Sequence, residues 1–155
     1  MAQGFSQIEG IDFEEMFSGV VDKVSIRTVL HYIASMGMEC LKFDVPTAFL
    51  NAELEEEIFV TLPPQVFQNS ENMVYKLKKA LYGLKQSPRA WQKALASSLK
   101  EINFVPLGKD PCVFVIVEDG KLKAILGTHV DDGLLGAVDI RKKNLICHFF
   151  GDARV

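Results

Sequence analysis

Apolar residues recur at helical spacing in two segments of the chain. In the first, the spacing i, i+3, i+4, i+7 predicts a half-buried helix with Ser25 as its N-cap and Gly37 at its end; its apolar positions are Ile26, Val29, Leu30 and Ile33. The second segment is predicted to begin as a helix at Ser87-Pro88. Ser can accept a hydrogen bond from an unpaired amide of the first turn, and Pro in that turn sacrifices no backbone hydrogen bond. Its predicted buried face is formed by Trp91, Leu95, Leu99 and Ile102.

Shorter apolar runs predict strands. Residues 38–43 read as a buried strand that ends at Asp44, because Pro46 interrupts a ladder. The alternation of Ile58, Val60 and Leu62 predicts another strand, which Pro63-Pro64 stops before a surface loop at 65–72.

Two hairpins are predicted in the second half of the chain. Asp119-Gly120 is the signature of a tight turn between apolar strands at 113–117 and 122–126. A further apolar stretch at 133–138 follows Asp131-Asp132, so both acids are expected at a second hairpin tip. Asp139 is expected to cap a last helix that runs through Phe150.

Length and composition fit one domain. The 155 residues are 48% hydrophobic, enough to bury one core. The longest apolar run, Cys112–Val117, is far shorter than the roughly 20 residues that span a bilayer, so no membrane association is expected. Cys40, Cys112 and Cys147 are scattered without a CxxC motif, which indicates neither a disulfide framework nor zinc and fits a reducing intracellular compartment.

The charges are segregated along the chain, although the net charge is only -3. Lys and Arg are frequent between Asn72 and Lys100, where no acid occurs, whereas Glu53, Glu55, Glu56 and Glu57 cluster upstream. A basic stretch can meet the phosphates of a nucleic acid, but a charge run is more often a solvated surface. Adjacent acids such as Asp131-Asp132 are likewise common in plain turns. Taken singly, these features leave their function open.

Six motifs together resemble one family. They are Gly4–Gln7 (GFSQ), Phe43–Asn51 (FDVPTAFLN), Glu55–Phe59 (EEEIF), Lys76–Trp91 (KLKKALYGLKQSPRAW), Asp110–Phe114 (DPCVF) and Val130–Asp132 (VDD). Their order over nearly the whole chain resembles copia-type retrotransposon reverse transcriptases, and the LYGLKQSPR block at 81–89 is the most specific. The resemblance implies an α+β fold, a reverse-transcriptase palm with an antiparallel sheet packed on helices. Residues 1–155 are expected to form a single domain fragment with partial fingers and palm, without the thumb, ribonuclease H or integrase segments.

The resemblance also implies an activity and its partners. The expected activity is that of an RNA-directed DNA polymerase, which adds deoxynucleotide triphosphates to a primer on an RNA or DNA template by two-metal phosphoryl transfer. Magnesium, with manganese as an alternative, suits carboxylate oxygens. Such an enzyme would work with the remaining polyprotein segments, in a cytoplasmic particle or in the nucleus.

The family's site residues can be carried over position by position. The resemblance implies that Asp44, Asp131 and Asp132 are the catalytic, metal-binding carboxylates and that the carbonyl of Val45 is a further ligand. Substrate contacts are implied for Phe49, which would exclude a ribose 2′-hydroxyl, for the turn at Tyr82 and Gly83, and for Lys85 and Arg89, which would meet phosphates. By residue type alone, a core position is favoured for Phe49 and for Trp91, whereas Lys85 and Arg89 fit a solvated helix.

Some positions depart from the family pattern. His129 stands at a usual Tyr position near the primer end, and a large apolar residue is usual at Gly133; Pro46, Gly19 and Ala52 also differ. These changes are expected of drift in an ageing element. Two other functions therefore stay open: a catalytically inactive remnant, and a domesticated module with the same fold that binds nucleic acid or a partner.

Overall fold

The computed structural model describes residues 2–14, 16, 18–61 and 73–139. The helices are α1 (Lys23–Ser35) and α2 (Ser87–Glu101), with short 3-10 helices at Gly4–Ser6 and Ala48–Asn51. The strands are β1 (Glu39–Asp44), β2 (Phe59–Val60), β3 (Tyr75–Lys76), β4 (Val105–Pro106), β5 (Val113–Glu118), β6 (Lys121–His129) and β7 (Asp132–Ala137). Five of them form an antiparallel sheet in the order β1-β7-β6-β5-β4, and β2 pairs with β3. These helices and strands confirm a mixed α and β fold with an antiparallel sheet.

The chain divides into two compact units. The first comprises Met1–Ser18 and Phe49–Ala94, and the second comprises Gly19–Ala48 and Leu95–Val155. The five-stranded sheet and α1 belong to the second unit, and the two-stranded sheet belongs to the first. That residues 1–155 form one domain stays a prediction. Within the described ranges, no helix is long and apolar enough to cross a membrane.

Both ends of α1 are closed by specific hydrogen bonds. The helix begins earlier than predicted, and Asp22 rather than Ser25 caps it, accepting a 3.2 Å bond from the amide of Val24. At the other end, the amides of Gly37 and Met38 bond back to the carbonyls of Ala34 and Ile33. Gly37 has φ 59°, so the predicted stop at this glycine is confirmed as a left-handed helix ending.

Helix α1 packs on the five-stranded sheet of the second unit. Val29 and Ile33 are buried in a cluster with residues of the sheet, whereas Leu30, predicted for the same face, is 47% exposed. The apolar stripe is narrower than predicted because contact with the sheet covers only part of the helix circumference. The close approach depends on Gly136, where an added Cβ would lie 2.2 Å from Cγ1 of Ile33.

Strand β1 ends at Asp44, as predicted, but only one of its faces is buried. Leu41 and Phe43 point inwards, and the other four residues of the strand are exposed. Opposite Phe43 in β7 is Gly133, and a Cβ there would lie 2.1 Å from the Phe43 ring. In this structure the Phe43 ring occupies the space that a side chain at position 133 would need.

The two predicted hairpins differ in how closely they match the structure. Asp119 and Gly120, both with positive φ, connect β5 to β6 as predicted. The second tip is formed by Val130 and Asp131, while Asp132 is already the first residue of β7. The prediction that both acids occupy the tip was wrong by one residue, because the ladder pairs Asp132 with His129 and leaves only two residues for the turn.

Helix α2 begins at Ser87, as predicted, but the serine hydroxyl has another role. It donates to the carbonyl of Leu81 at 2.7 Å and accepts from the Leu81 amide at 3.1 Å. Ser87 is fully buried, so the hydroxyl closes the loop before the helix instead of capping the helix amides. The predicted buried face is confirmed for Trp91, Leu95 and Leu99.

A clasp of side-chain hydrogen bonds joins distant parts of the first unit; we call Gln7, Asp12, Lys85 and Gln86 the glutamine clasp. Gln7 donates to Oε1 of Gln86 at 3.0 Å, and Gln86 donates to the carbonyl of Asp12 at 3.1 Å. The amide and Nζ of Lys85 donate to Oε1 and the carbonyl of Gln7 at 2.9 and 3.1 Å. Two motifs far apart in sequence are thus held together by direct bonds.

Asp110 links the start of α1 to the loop before β5 in the second unit. Its carboxylate accepts from the amides of Asp22 at 3.2 Å and Cys112 at 3.0 Å. Burial alone would raise the pKa of Asp110, but hydrogen bonds from the Ser25 hydroxyl and these two amides lower it below its ordinary value. The Ser25 hydroxyl, predicted as a helix cap, instead bonds to this carboxylate.

Three sequence predictions concern residues outside the described ranges. They are the strand position of Leu62, the surface loop at 65–72 and the last helix from Asp139 through Phe150, of which only Asp139 is described. Of the predicted strand around residue 60, the described part is the short β2, preceded by buried Ile58.

We predict that Asp110→Asn lowers the free energy of unfolding by about 1–2 kcal/mol at pH 7, because one oxygen that accepts an amide is replaced by a donor. The folded pKa is depressed, so the stabilisation is fully present above the unfolded value of about 3.9 and is lost as pH falls through the lower folded value. Urea unfolding of both proteins between neutral and acidic pH measures the difference. Asp119→Asn, in an exposed turn that also accepts Asn, is the control; an equal loss in both variants would contradict the assignment.

We also predict that Gln86→Leu destabilises the chain by about 2 kcal/mol, since it leaves the Asp12 carbonyl and the Gln7 amide without the buried partner that they use. The matched control is Gln3→Leu, because Gln3 is exposed and its side chain caps no helix. Urea unfolding midpoints compare the two variants. Equal midpoints would show that the glutamine clasp contributes nothing to stability.

Candidate active site

Two of the predicted carboxylates face each other across a strand pair in the second unit. Asp44, the last residue of β1, is the direct partner of Asp132, the first residue of β7. Directly opposed residues of an antiparallel pair project to the same face of the sheet. On the other side, Asp132 is paired with His129 at the end of β6. The strand register therefore produces a row of Asp44, Asp132 and His129 across three strands.

Asp131 reaches the same corner of the sheet through its backbone. It follows Val130 in the tight turn, and Val130 has φ 57°, a conformation that a β-branched residue rarely adopts. The carbonyl of Asp131 accepts a 2.8 Å hydrogen bond from the amide of Val45. This bond extends the β1–β7 ladder by one step and ties the turn to the residue after Asp44. Val45 itself is buried.

Lys42 was not singled out by sequence, although it is close to these acids. Its Nζ lies 3.1 Å from Oδ1 of Asp132. Lys42 is two residues before Asp44, so the alternation of a strand places both side chains on one face. That alternation was a signal available in the sequence, but it acquires meaning only once the β1–β7 register is known.

The donor chemistry at this corner suits a hard divalent cation. Asp44 and Asp132 are paired carboxylates, and Asp132 already forms an ion pair with the ammonium group of Lys42. Across the described ranges, no three side chains of His, Cys, Asp and Glu come close enough together to enclose a metal ion. Magnesium usually takes only one or two carboxylates and fills its shell with water and substrate phosphates, so a pair of carboxylates fits it.

In the first unit, the predicted substrate residues Phe49 and Tyr82 are in contact. Their ring centroids are 4.4 Å apart with an interplanar angle of 44°, and Phe49 is only 8% exposed. Phe49 is therefore packed against another predicted substrate residue. Gly83, the next residue along the chain, is exposed and has φ 101°, a conformation that favours glycine at this turn.

The two predicted phosphate-binding cations have partners within the first unit. Lys85 belongs to the glutamine clasp, and its Nζ also lies 4.9 Å from the centroid of the Phe13 ring. Arg89 lines an open groove of about 470 Å³ together with Gly10, Ile11, Phe13, Glu14, Glu55 and Glu56. In this structure both cations therefore face groups of the chain itself.

The segregated charges seen in the sequence meet in the folded first unit. Lys93 donates to both oxygens of Glu55 at 2.9 Å, and Lys76 pairs with Glu57. The hydrogen bond from Lys93 and then its charge lower the pKa of Glu55, with a smaller contribution from Arg89. Lys76 lowers the pKa of Glu57 in the same way. Part of the basic stretch is thus neutralised by the acidic cluster, which reduces its attraction for phosphates.

Comparison with known proteins identifies the family. A family model described as reverse transcriptase (RNA-dependent DNA polymerase) matches residues 1–149. The chain is 42% identical over 154 residues to the Retrovirus-related Pol polyprotein from transposon TNT 1-94 of Nicotiana tabacum, covering 98% of this chain and 11% of that protein. It is 38% identical over 140 residues to the corresponding polyprotein from transposon RE1 of Arabidopsis thaliana, covering 90% and 10%.

A more distant relative comes from yeast. The Transposon Ty1-GR3 Gag-Pol polyprotein of Saccharomyces cerevisiae is 29% identical over 132 residues, covering 84% of this chain and 7% of that protein. The chain thus spans about a tenth of the length of the curated plant relatives that it matches. Because the family model matches residues 1–149 and the plant polyproteins are 38–42% identical, the chain belongs to the reverse transcriptase (RNA-dependent DNA polymerase) family, as found in the Pol polyproteins of copia-type transposons.

Proposed function

We propose that this chain carries the polymerase centre of a retrotransposon reverse transcriptase and that the β1–β7 corner is the palm site for nucleotide addition. The observation that carries the proposal is the direct pairing of Asp44 with Asp132, with Asp131 hydrogen-bonded to the adjacent Val45. The pairing of Asp44 with Asp132 supports the proposal, as does the position of Asp131 in the turn directly before Asp132. The family match supports the same chemistry for these positions.

Asp44, Asp131 and Asp132 would bind the catalytic cations, with the Val45 carbonyl as a further oxygen. Magnesium or manganese ions, when bound, would supply activation of the primer 3′-hydroxyl and stabilisation of the leaving pyrophosphate. The register of β1 and β7 sets the backbones of Asp44 and Asp132 opposite each other before substrate arrives, which limits the reorganisation needed at reaction.

Nucleotide contacts are proposed for further residues on the strength of the family resemblance. Phe49, held by Tyr82, would block a ribose 2′-hydroxyl, and the exposed turn at Gly83 would let the backbone approach the nucleotide. Arg89 is proposed to contact phosphates. Lys85 is proposed to do the same, and for that its Nζ would have to leave the carbonyl of Gln7. A template, a primer, deoxynucleotide triphosphates and further polyprotein segments are the proposed partners.

A specific observation also favours the inactive alternative. His129 is the direct partner of Asp132, at the position where the family pattern has Tyr. A change in size at this position acts next to a proposed metal ligand, so it affects the site itself and not a distant surface. A chain with the fold but without useful activity would keep the register and lose the primer contact.

Primer extension on an RNA template tests the proposed function. We expect extension with magnesium or manganese, and we expect Asp131→Asn to reduce its rate by a factor on the order of 1,000 or more, since a metal-bound transition state loses several kcal/mol. Asp119→Asn removes a carboxylate from a distant exposed turn and serves as the control. Circular dichroism checks that each variant is folded.

The same assay with His129→Tyr separates the alternatives. Extension that appears only in this variant would establish an inactive remnant damaged at this position. Absence of extension from every folded variant, together with salt-sensitive RNA binding that needs no metal, would replace the polymerase by a nucleic-acid-binding module.

We further predict that Phe49→Val raises the use of ribonucleotides relative to deoxynucleotides by about 10- to 100-fold, because removing the ring opens the space that a 2′-hydroxyl needs. The ratio of kcat/KM for the two substrates is the measurement, and it does not depend on the fraction of active protein. Phe104→Val, which truncates a buried Phe of the second unit, controls for loss of core packing. An unchanged ratio would assign Phe49 to packing alone.

A further inference from the structure

Lys42 has a position that ordinary surface lysines lack. Its ammonium contacts Asp132, and its side chain shares a strand face with Asp44, the direct partner of Asp132. Like charges directly opposite each other across a strand pair destabilise it. The positive charge of Lys42 offsets this repulsion between Asp44 and Asp132 when no metal is bound.

The contact between Lys42 and Asp132 can readily be exchanged. The Lys42 side chain is 73% exposed and that of Asp132 is 48% exposed, so water screens their attraction. Exposed ion pairs of this kind are worth about 0–1 kcal/mol. A lysine held this weakly can leave its partner without disrupting the sheet. Separating a buried ion pair would instead leave an unpaired charge in the interior.

We propose that Lys42 is a tethered counter-cation of the metal site, which neutralises Asp132 in the metal-free protein and is displaced when a divalent cation binds. This inference rests on the proposed function, because it takes Asp44 and Asp132 as metal ligands. Lys42 then has two opposing effects. It stabilises the metal-free fold, and it competes with the metal for Oδ1 of Asp132.

The opposing effects distinguish this role from that of an ordinary salt bridge. Removing a salt bridge remote from the metal ligands lowers stability and leaves metal affinity unchanged. Removing a tethered counter-cation lowers the stability of the metal-free protein and tightens metal binding, and the loss of stability disappears at saturating metal. The two measurements must therefore move in opposite directions.

Titration with Mn²⁺ followed by electron paramagnetic resonance tests the proposal in the full chain at fixed pH and salt. We expect Lys42→Gln to lower the Kd for Mn²⁺ by about 2- to 5-fold, the range that a coupling of up to about 1 kcal/mol allows. Lys121→Gln is the matched control, since it removes the same charge from the same sheet at the Asp119-Gly120 end of β6. We expect it to leave the Kd unchanged.

A second measurement follows the lysine itself. In nuclear magnetic resonance spectra of protein with ¹³C-dimethylated lysines, the Lys42 signal should shift as Mg²⁺ is added, and Asp132→Asn should abolish the shift. Thermal unfolding should show a lower Tm for Lys42→Gln than for Lys121→Gln without divalent cation and equal Tm values at saturating Mn²⁺.

The outcomes separate this inference from the proposed function. An unchanged or weaker Mn²⁺ affinity in Lys42→Gln, with Asp44→Asn still weakening binding, would overturn the role of Lys42 and leave the metal site standing. Mn²⁺ binding that is the same in Asp44→Asn, Asp132→Asn and the unaltered chain would overturn the metal site and the counter-cation together. Tighter binding in Lys42→Gln but not in Lys121→Gln, together with the Mg²⁺-dependent shift of the Lys42 signal, would establish the proposal.

Discussion

The antiparallel register of β1 and β7 is the constraint on which the second unit depends. It pairs Phe43 with Gly133 and, one step further, Asp44 with Asp132. A slip of one residue would turn every side chain of β1 to the other face, exposing Leu41 and Phe43 and burying Lys42 and Asp44. Burial of apolar surface therefore fixes the placement of the charged residues at the strand end. The chemistry of the corner follows from the packing behind it.

The first unit is held differently, through polar contacts between segments far apart in sequence. The glutamine clasp connects the beginning of the chain to the start of α2, and Ser87 closes the intervening loop on Leu81. Buried polar groups hydrogen-bond because an unpaired one is costly, and the geometry that they require is more specific than that of apolar contact. The Leu81–Arg89 block, the most specific part of the resemblance, thus has a structural role beside its proposed contacts with substrate.

Local features of the fold were predictable from sequence, and long-range ones were not. The Asp119-Gly120 turn, the end of β1 at Asp44, the stop at Gly37 and the start of α2 depend on residues within a few positions of each other, and each was confirmed. The hydroxyls of Ser25 and Ser87 were assigned to helix caps, because a cap is the nearest use for a serine before a helix. Their actual partners, Asp110 and Leu81, are fixed by tertiary structure.

The candidate site shows the same division. Resemblance singled out Asp44, Asp131 and Asp132, and the strand register explains how Asp44 and Asp132 meet although they are far apart in sequence. Lys42 was not predicted as a site residue because alternation along β1 does not reveal which residues of the neighbouring strand lie opposite it. Gln86 escaped notice because a glutamine in a motif gives no sign of its burial.

The fit of Phe43 over Gly133 also constrains how this pair of residues can evolve. A Cβ at 133 would lie 2.1 Å from the Phe43 ring, so a larger residue there requires the ring to move or residue 43 to become smaller. Each single step alone is penalised, by a clash in one order and by a cavity in the other. Substitutions at positions 43 and 133 are therefore expected to be correlated across related elements.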